Sequence, residues 1–163
     1  MARALIVGCG CRGRSLGRAL IDRGWQVRGT SRDPATIAEI EAAGLEGVEA
    51  DPDRIATIVE HIEGVTVIFW LLGSATGEYE QVAALHGDRL ERLLEEIVDT
   101  PVRGLAYELT GGIDHVQALG ALELLRTAGE RWRMPFEVID VDPREHDLWL
   151  TGMLGAADGL LGA

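Results

Sequence analysis

"ALIVGCGCRGRSLGRALIDRG", residues 4–24, decides how the rest of the chain is read. An apolar run fit for a strand ends at Val7, and a helical pattern begins a few residues later. Between them Gly8, Gly10 and Gly13 make G-x-G-x-x-G, with Gly17 following. Glycine loses more conformational freedom on folding than any other residue, so four of them within residues 8–17 need a reason. A strand-to-helix turn that cradles phosphate supplies one. Gly8 allows the tight turn, and Gly10 puts no side chain in the way of a diphosphate. Gly13 lets the helix pack close to the sheet, and Gly17 extends that contact. Cys11 and Arg12 complete the loop, whose backbone N–H groups and helix dipole face the phosphates. A bare G-x-G-x-x-G is a weak signal. Here it follows a strand and opens a helix in a βαβ unit of about 30 residues, the context that dinucleotide binding requires. The alternative is a glycine-rich turn without a ligand.

The remaining chain repeats strand then helix. Strands are expected at 3–7, 25–30, 46–50, 65–72, 102–109 and 136–141. Helices fill most of 14–23, 34–43, 53–62, 79–99, 115–131 and 145–161. This alternation implies an α/β fold with one doubly wound parallel sheet of about six strands and helices on both faces; with the glycine motif after the first strand, the Rossmann order 3-2-1-4-5-6 is expected. "VTVIFWLL", 65–72, is apolar on both faces, as a central parallel strand should be. Asp33, Asp51 and Asp142 each precede a proline, which predicts three helix starts with Asp as N-cap. Glu145 is placed for a capping box. Glycines at 152, 155, 159 and 162 predict a weak or frayed last helix. No repeat, low-complexity tract or linker interrupts the pattern. Residues 1–163 are therefore expected to form a single domain, with no separate substrate domain.

Composition narrows the partners. The chain carries a formal net charge of −12, and each of its cations is an arginine; it has no lysine. Nucleic acid is an unfavourable partner, because a duplex-binding surface needs a dense set of cations. An anionic membrane surface is disfavoured for the same reason. No stretch approaches the roughly 20 apolar residues that span a bilayer, and the start does not read as a signal peptide. Cys9 and Cys11 are too close for an unstrained bridge. A soluble, cytoplasmic protein with reduced thiols is expected. "CGC" suits a soft metal poorly, since both thiols sit at loop positions that small residues fill. No Ser-His-Asp order and no H-E-x-x-H appears.

With "IVGCGCRG", "GTSRDP", "EADPD" and "VIFWLLG" in place, residues 3–142 resemble the NADP-binding Rossmann core of the short-chain dehydrogenase/reductase superfamily, in its atypical and extended branches. The resemblance covers most of the chain and omits a substrate domain. NAD binders usually place an acid at the end of strand two; here Thr30 stands there, followed by Ser31 and Arg32. Members with such an arginine prefer NADP, so the resemblance implies NADP(H), with Ser31 and Arg32 on the 2′-phosphate. Asp33 is read as the next helix's cap. Arg12 is assigned to the 2′-phosphate or the diphosphate, with a solvent-facing arginine as the alternative. Asp51 matches the aspartate that contacts the adenine amino group, and its other reading is an N-cap. Leu72 and Gly73 match the segment under the adenosine ribose.

Active members commonly use Tyr-x-x-x-Lys, in which the lysine lowers the tyrosine pKa. Without lysine that motif is absent. Tyr107, near the carboxyl end of strand five, is the better of two tyrosines for a catalytic role; a structural tyrosine with its hydroxyl tied off is the competing reading. Glu108 should face the other way, because side chains alternate along a strand. Thr110, Gly111 and Gly112 form a loop placed near the nicotinamide by topology. His115 and His146 follow strands five and six on the ligand edge, and His115 joins Tyr107 and Thr110 as a candidate catalytic group. His61 and His86 are expected to be solvated on surface helices. Trp149 and Met153 share a helix face that packs on the sheet or on a second subunit. A homodimer is one expected arrangement, since sheet-edge helices in such folds often pair. Two functions follow: a reductase passing hydride from the nicotinamide to a small carbonyl or imine, or a module that holds NADP(H) without turnover, as a redox sensor or regulator.

Overall fold

The computed structural model of the protein describes residues 1–73, 75, 77–109 and 113–162. Thr110, Gly111 and Gly112 lie outside the described residues. Along the chain run β1 (Arg3–Val7), α1 (Cys11–Asp22), β2 (Gln26–Ser31), α2 (Pro34–Ala42) and β3 (Glu46–Glu49). Then follow α3 (Ile55–Val59), β4 (Val67–Trp70), α4 (Tyr79–His86), α5 (Asp88–Ile97), β5 (Gly104–Glu108), α6 (His115–Trp132), β6 (Phe136–Ile139) and α7 (His146–Leu161). The strands form one six-stranded sheet in the order β3-β2-β1-β4-β5-β6, with every neighbouring pair parallel. This is the doubly wound sheet expected from the alternation, in the strand order expected of the glycine motif.

Period-two side-chain alternation sorts the strand residues into two cores. Leu5, Val7, Ile68, Trp70, Leu105 and Tyr107 pack against α3, α5 and α6. Ala4, Ile6, Val67, Phe69 and Ala106 pack against α1, α2 and α7. β4 is buried along its whole length, which accounts for its two apolar faces. Trp149 and Met153 are buried in the second core, so their shared face lies on the sheet.

Four local expectations change. The helix expected at 79–99 is two, α4 and α5, broken at Gly87 (φ −122°, ψ −104°). The break separates the buried end of α4, at His86, from α5, which turns Leu90, Leu93, Leu94 and Ile97 inward. Asp33 caps α2 by accepting from the Ala35 N–H at 3.1 Å, as expected. Asp51 and Asp142 instead close turns, accepting from the N–H groups of Asp53 and Arg144 at 2.9 Å, and the helices start later. Glu145 makes no side-chain cap bond among the described residues; the capping box is on α6, between Asp114 and Gln117. Finally, α7 runs unbroken from His146 to Leu161. Its packing on β5 and β6 outweighs the weak helix propensity of its glycines.

Candidate dinucleotide site at the carboxyl edge of the sheet

The glycine loop carries the steric roles its spacing implies. Gly8 sits at φ +85°, and a Cβ there would stand 2.7 Å from the Leu71 carbonyl oxygen. A Cβ on Gly13 would be 3.2 Å from Ile6 Cγ2, so α1 lies close against β1. One on Gly17 would run into Leu45. Gly10 differs: among the described residues nothing lies within 4 Å of where its Cβ would be. Gly10 is also the N-cap of α1, and no side-chain bond caps that helix among the described residues. Open space and a helix start without a side-chain cap among the described residues meet at this point, which suits an anion. Cys9 turns inward, and a Cβ on Gly29 would be 2.6 Å from its sulfur. Burial pushes the Cys9 thiol up to about 12, against the pull of Arg14, so it is an inert filler between α1 and β2.

A cleft of about 460 Å³ opens beside the loop, within the range of small-molecule sites. Gly8, Gly10, Thr30, Ser31, Arg32 and Leu72 line it, all expected cofactor contacts. Cys9, rather than Cys11, completes the loop's share. Cys11, Arg12 and Gly13 border a smaller adjoining hollow of about 160 Å³, shared with Gly8 and Gly10. The far wall comes from α4, through Gln81, Val82 and Leu85, which sequence reasoning did not assign. Thr30 is buried, its carbonyl accepting the Cys9 N–H at 3.2 Å. Ser31 Oγ accepts the Asp33 N–H at 3.1 Å. The Arg32 side chain is 67% exposed, with Nη1 3.9 Å from Asp51 Oδ1. Ala50, Pro52 and Asp53 border the cleft, while the Asp51 carboxylate holds its own turn and faces Arg32.

Arg12 extends away from the β2 end. Its guanidinium pairs with both oxygens of Glu108, at the end of β5, and lies over the Trp149 ring at 5.1 Å. Glu108 is 0% exposed. It also accepts from Trp149 Nε1 at 2.8 Å and from the Gly73 N–H at 3.2 Å. The Gly73 N–H, in the segment expected under the adenosine ribose, is thus bonded to Glu108. Because β4 and β5 lie on the opposite side of β1 from β2, this cluster stands away from the β2 end, where Ser31 and Arg32 lie. Sequence reasoning turned Glu108 away from Tyr107 but gave it no role. Its one signal was a lone acid inside the apolar run "GLAYEL".

Tyr107 is 0% exposed and sits in the core on the α3–α6 face. Its hydroxyl bonds His86 Nδ1, while His86 Nε2 lies 3.1 Å from the Leu72 carbonyl oxygen. A carbonyl only accepts, so Nε2 carries the proton and the tyrosine donates to Nδ1. His86 is 1% exposed, which corrects its expected place among solvated histidines. Burial lowers its pKa, outweighing the Leu72 carbonyl and the charge of Glu108. Burial, and then Glu108, raise that of Tyr107. His115 is exposed at the first position of α6. His146, at the start of α7, stacks on Trp149 and lies 3.2 Å from Ser15 Oγ. Among the described residues no cluster of His, Cys, Asp and Glu could hold a metal ion, and no helix is long and apolar enough to cross a membrane.

The loop, the uncapped helix start and the cleft along the carboxyl edge define a Rossmann-type dinucleotide-binding fold. A family model described as NAD(P)H-binding matches residues 8–124, and the chain belongs to that family. Solved structures share the fold. UDP-glucuronic acid 4-epimerase from Bacillus cereus, in complex with UDP-glucuronic acid and NAD, is 15% identical with a TM-score of 0.64, over 83% of this chain and 55% of that one. A short-chain dehydrogenase/reductase superfamily protein from Agrobacterium tumefaciens with bound NAD is 20% identical (TM-score 0.66; 83% and 48%). Vestitone reductase from alfalfa is 18% identical (TM-score 0.61; 85% and 56%). The chain spans about half the length of these proteins. No curated protein matches it in sequence.

Proposed function

We propose that the protein binds NADP(H), with Ser31 and Arg32 on the 2′-phosphate and the N-terminus of α1 on the diphosphate. The observation that carries this reading is the Arg32 guanidinium, largely exposed at the rim of the cleft, two residues beyond Thr30, which stands where NAD binders place an acid. Its contact with Asp51 is long and solvated, and such pairs contribute little. A 2′-phosphate would displace it readily and offers bidentate, charge-assisted bonds instead. Titration by fluorescence tests this. Wild type should bind NADPH at least about tenfold more tightly than NADH, a difference of roughly 1.4 kcal/mol. Arg32→Ala should bring the two within about twofold. Equal binding of both by wild type overturns the assignment.

What the cofactor does there has two readings. As an oxidoreductase, the protein passes hydride from the nicotinamide to a small carbonyl or imine over the ends of β4 and β5. Tyr107 is then not the proton donor, because its hydroxyl is buried and bonded to His86; His115, exposed at the start of α6, is the candidate that keeps access to solvent. The second reading is a module that holds NADP(H) without turnover. It is favoured by the occupied Tyr107 hydroxyl together with the absence of lysine. NADPH consumption across a carbonyl and imine panel, in wild type and His115→Ala, separates them.

A further inference from the structure

We propose that Arg12, held by Glu108, makes this site prefer the reduced nicotinamide to the oxidised one. The proposal rests on the NADP(H) reading above and adds a determinant of redox-state specificity to it. With the diphosphate on the start of α1 and the adenosine half between β2, β3 and α4, the other half of the dinucleotide must run the opposite way. The sheet order sends it over the carboxyl ends of β4 and β5. Arg12, Gly73 and Glu108 meet there.

The pair is asymmetric. Its carboxylate is 0% exposed and its guanidinium side chain 23%. The anion faces the core and the cation faces the edge, so the dipole presents its positive end to the passing ligand. The guanidinium is also fixed. Two oxygens of Glu108 hold it, Trp149 lies beneath it, and Trp149 Nε1 and the Gly73 N–H satisfy the rest of the carboxylate. If Arg12 swung away, it would strand a buried charge, which is strongly unfavourable. It therefore stays in place when the cofactor binds.

Oxidised and reduced cofactor are alike from the adenine to the second ribose. They differ in the ring: the oxidised nicotinamide carries a positive charge and the dihydronicotinamide none. A fixed cation beside the ring raises the free energy of the oxidised complex alone. The net charge of −12 acts in the opposite sense. Exposed carboxylates, however, are screened beyond about 8 Å at physiological ionic strength, and a partly buried cation is screened much less.

Calorimetry at about 0.15 M salt, the ionic strength at which distant surface charge is damped, should include NADPH, NADP⁺ and 2′,5′-ADP. Wild type should bind NADPH about three- to tenfold more tightly than NADP⁺, the size expected of an ion pair with its cation roughly 6 Å and its anion roughly 10 Å from the ring at an effective dielectric of about 20. Arg12→Lys, which keeps the cation, should retain the preference. The double variant Arg12→Leu/Glu108→Leu, which leaves no buried charge unpaired, should lose it while still binding 2′,5′-ADP. A wild-type ratio near one, or a ratio that survives in the double variant, overturns the proposal. If neither NADPH nor 2′,5′-ADP binds wild type, the NADP(H) reading itself has failed. If both bind and the ratio is one, only the role of Arg12 has.

Discussion

At Gly8 the backbone stands at φ +85° and the Leu71 carbonyl oxygen fills the place of a side chain; at Gly10 the backbone is ordinary and the space is empty. The two glycines of one motif therefore differ: the fold requires the one at Gly8, and the proposed diphosphate contact requires the one at Gly10. Gly8→Ala adds both a left-handed backbone penalty and an overlap with backbone that cannot give way. It should destabilise the protein by about 2–4 kcal/mol in urea unfolding. Gly10→Ala should cost less than about 1 kcal/mol, mostly as a poorer N-cap. It should nevertheless weaken NADPH binding at least about tenfold, because the new methyl enters the space left for the diphosphate. Equal destabilisation by both would mean that Gly10 also serves the fold. Spacing revealed these roles because G-x-G-x-x-G fixes where each glycine falls on the turn. Glu108 escaped the same reading, since its three donors come from residues 12, 73 and 149, and no local pattern joins them.

At the scale of elements, the break at Gly87 gives α4 its own direction and drives His86 into the sheet beside Tyr107. The pair ties α4 to both β5 and the Leu72 carbonyl, so the helix that walls the cleft is anchored at its buried end. Its pH behaviour follows from direction alone. Burial lowers the folded-state pKa of His86 below the ordinary 6.5. As pH falls through about 6.5, the unfolded chain takes up a proton that the folded one refuses. Stability present above that pH is then lost, until the depressed folded-state pKa is passed. Tyr107 acts on the alkaline side. Its pKa is raised above the ordinary 10, so the unfolded chain ionises first and stability falls as pH rises through about 10. Urea midpoints between pH 5 and 6.5 should drop less in His86→Leu than in wild type, and those above pH 10 less in Tyr107→Phe. Parallel pH profiles for the variants would refute the assignment. The sequence left His86 on a surface helix because residues 79–99 read as one helix. Only the turn at Gly87 shows that its face changes.

For the whole molecule, six parallel strands need a helical layer on each face, and α7 completes the one shared with α1 and α2. Alternation of strands and helices was enough to read the parallel sheet, because right-handed crossovers leave few topologies open, and the glycine motif after the first strand chose the order among them. What covered α7 was not readable. Trp149 and Met153 mark an apolar helix face, and a sheet and a second subunit bury such a face by the same physics. The structure puts that face on the sheet, with Trp149 wholly buried and its Nε1 on Glu108. Trp149 therefore serves two functions that substitution can separate. Trp149→Ala should cost about 3–5 kcal/mol, the range for a large aromatic deleted from a core. Trp149→Phe keeps most of the packing and withdraws one donor from a buried carboxylate, so it should cost about 1–3 kcal/mol. If Trp149 instead served a subunit contact, both variants would shift the sedimentation of the protein and leave the unfolding of the dilute chain nearly unchanged. Urea unfolding and analytical ultracentrifugation of the same samples decide between these outcomes, and the packing of α7 requires that unfolding respond.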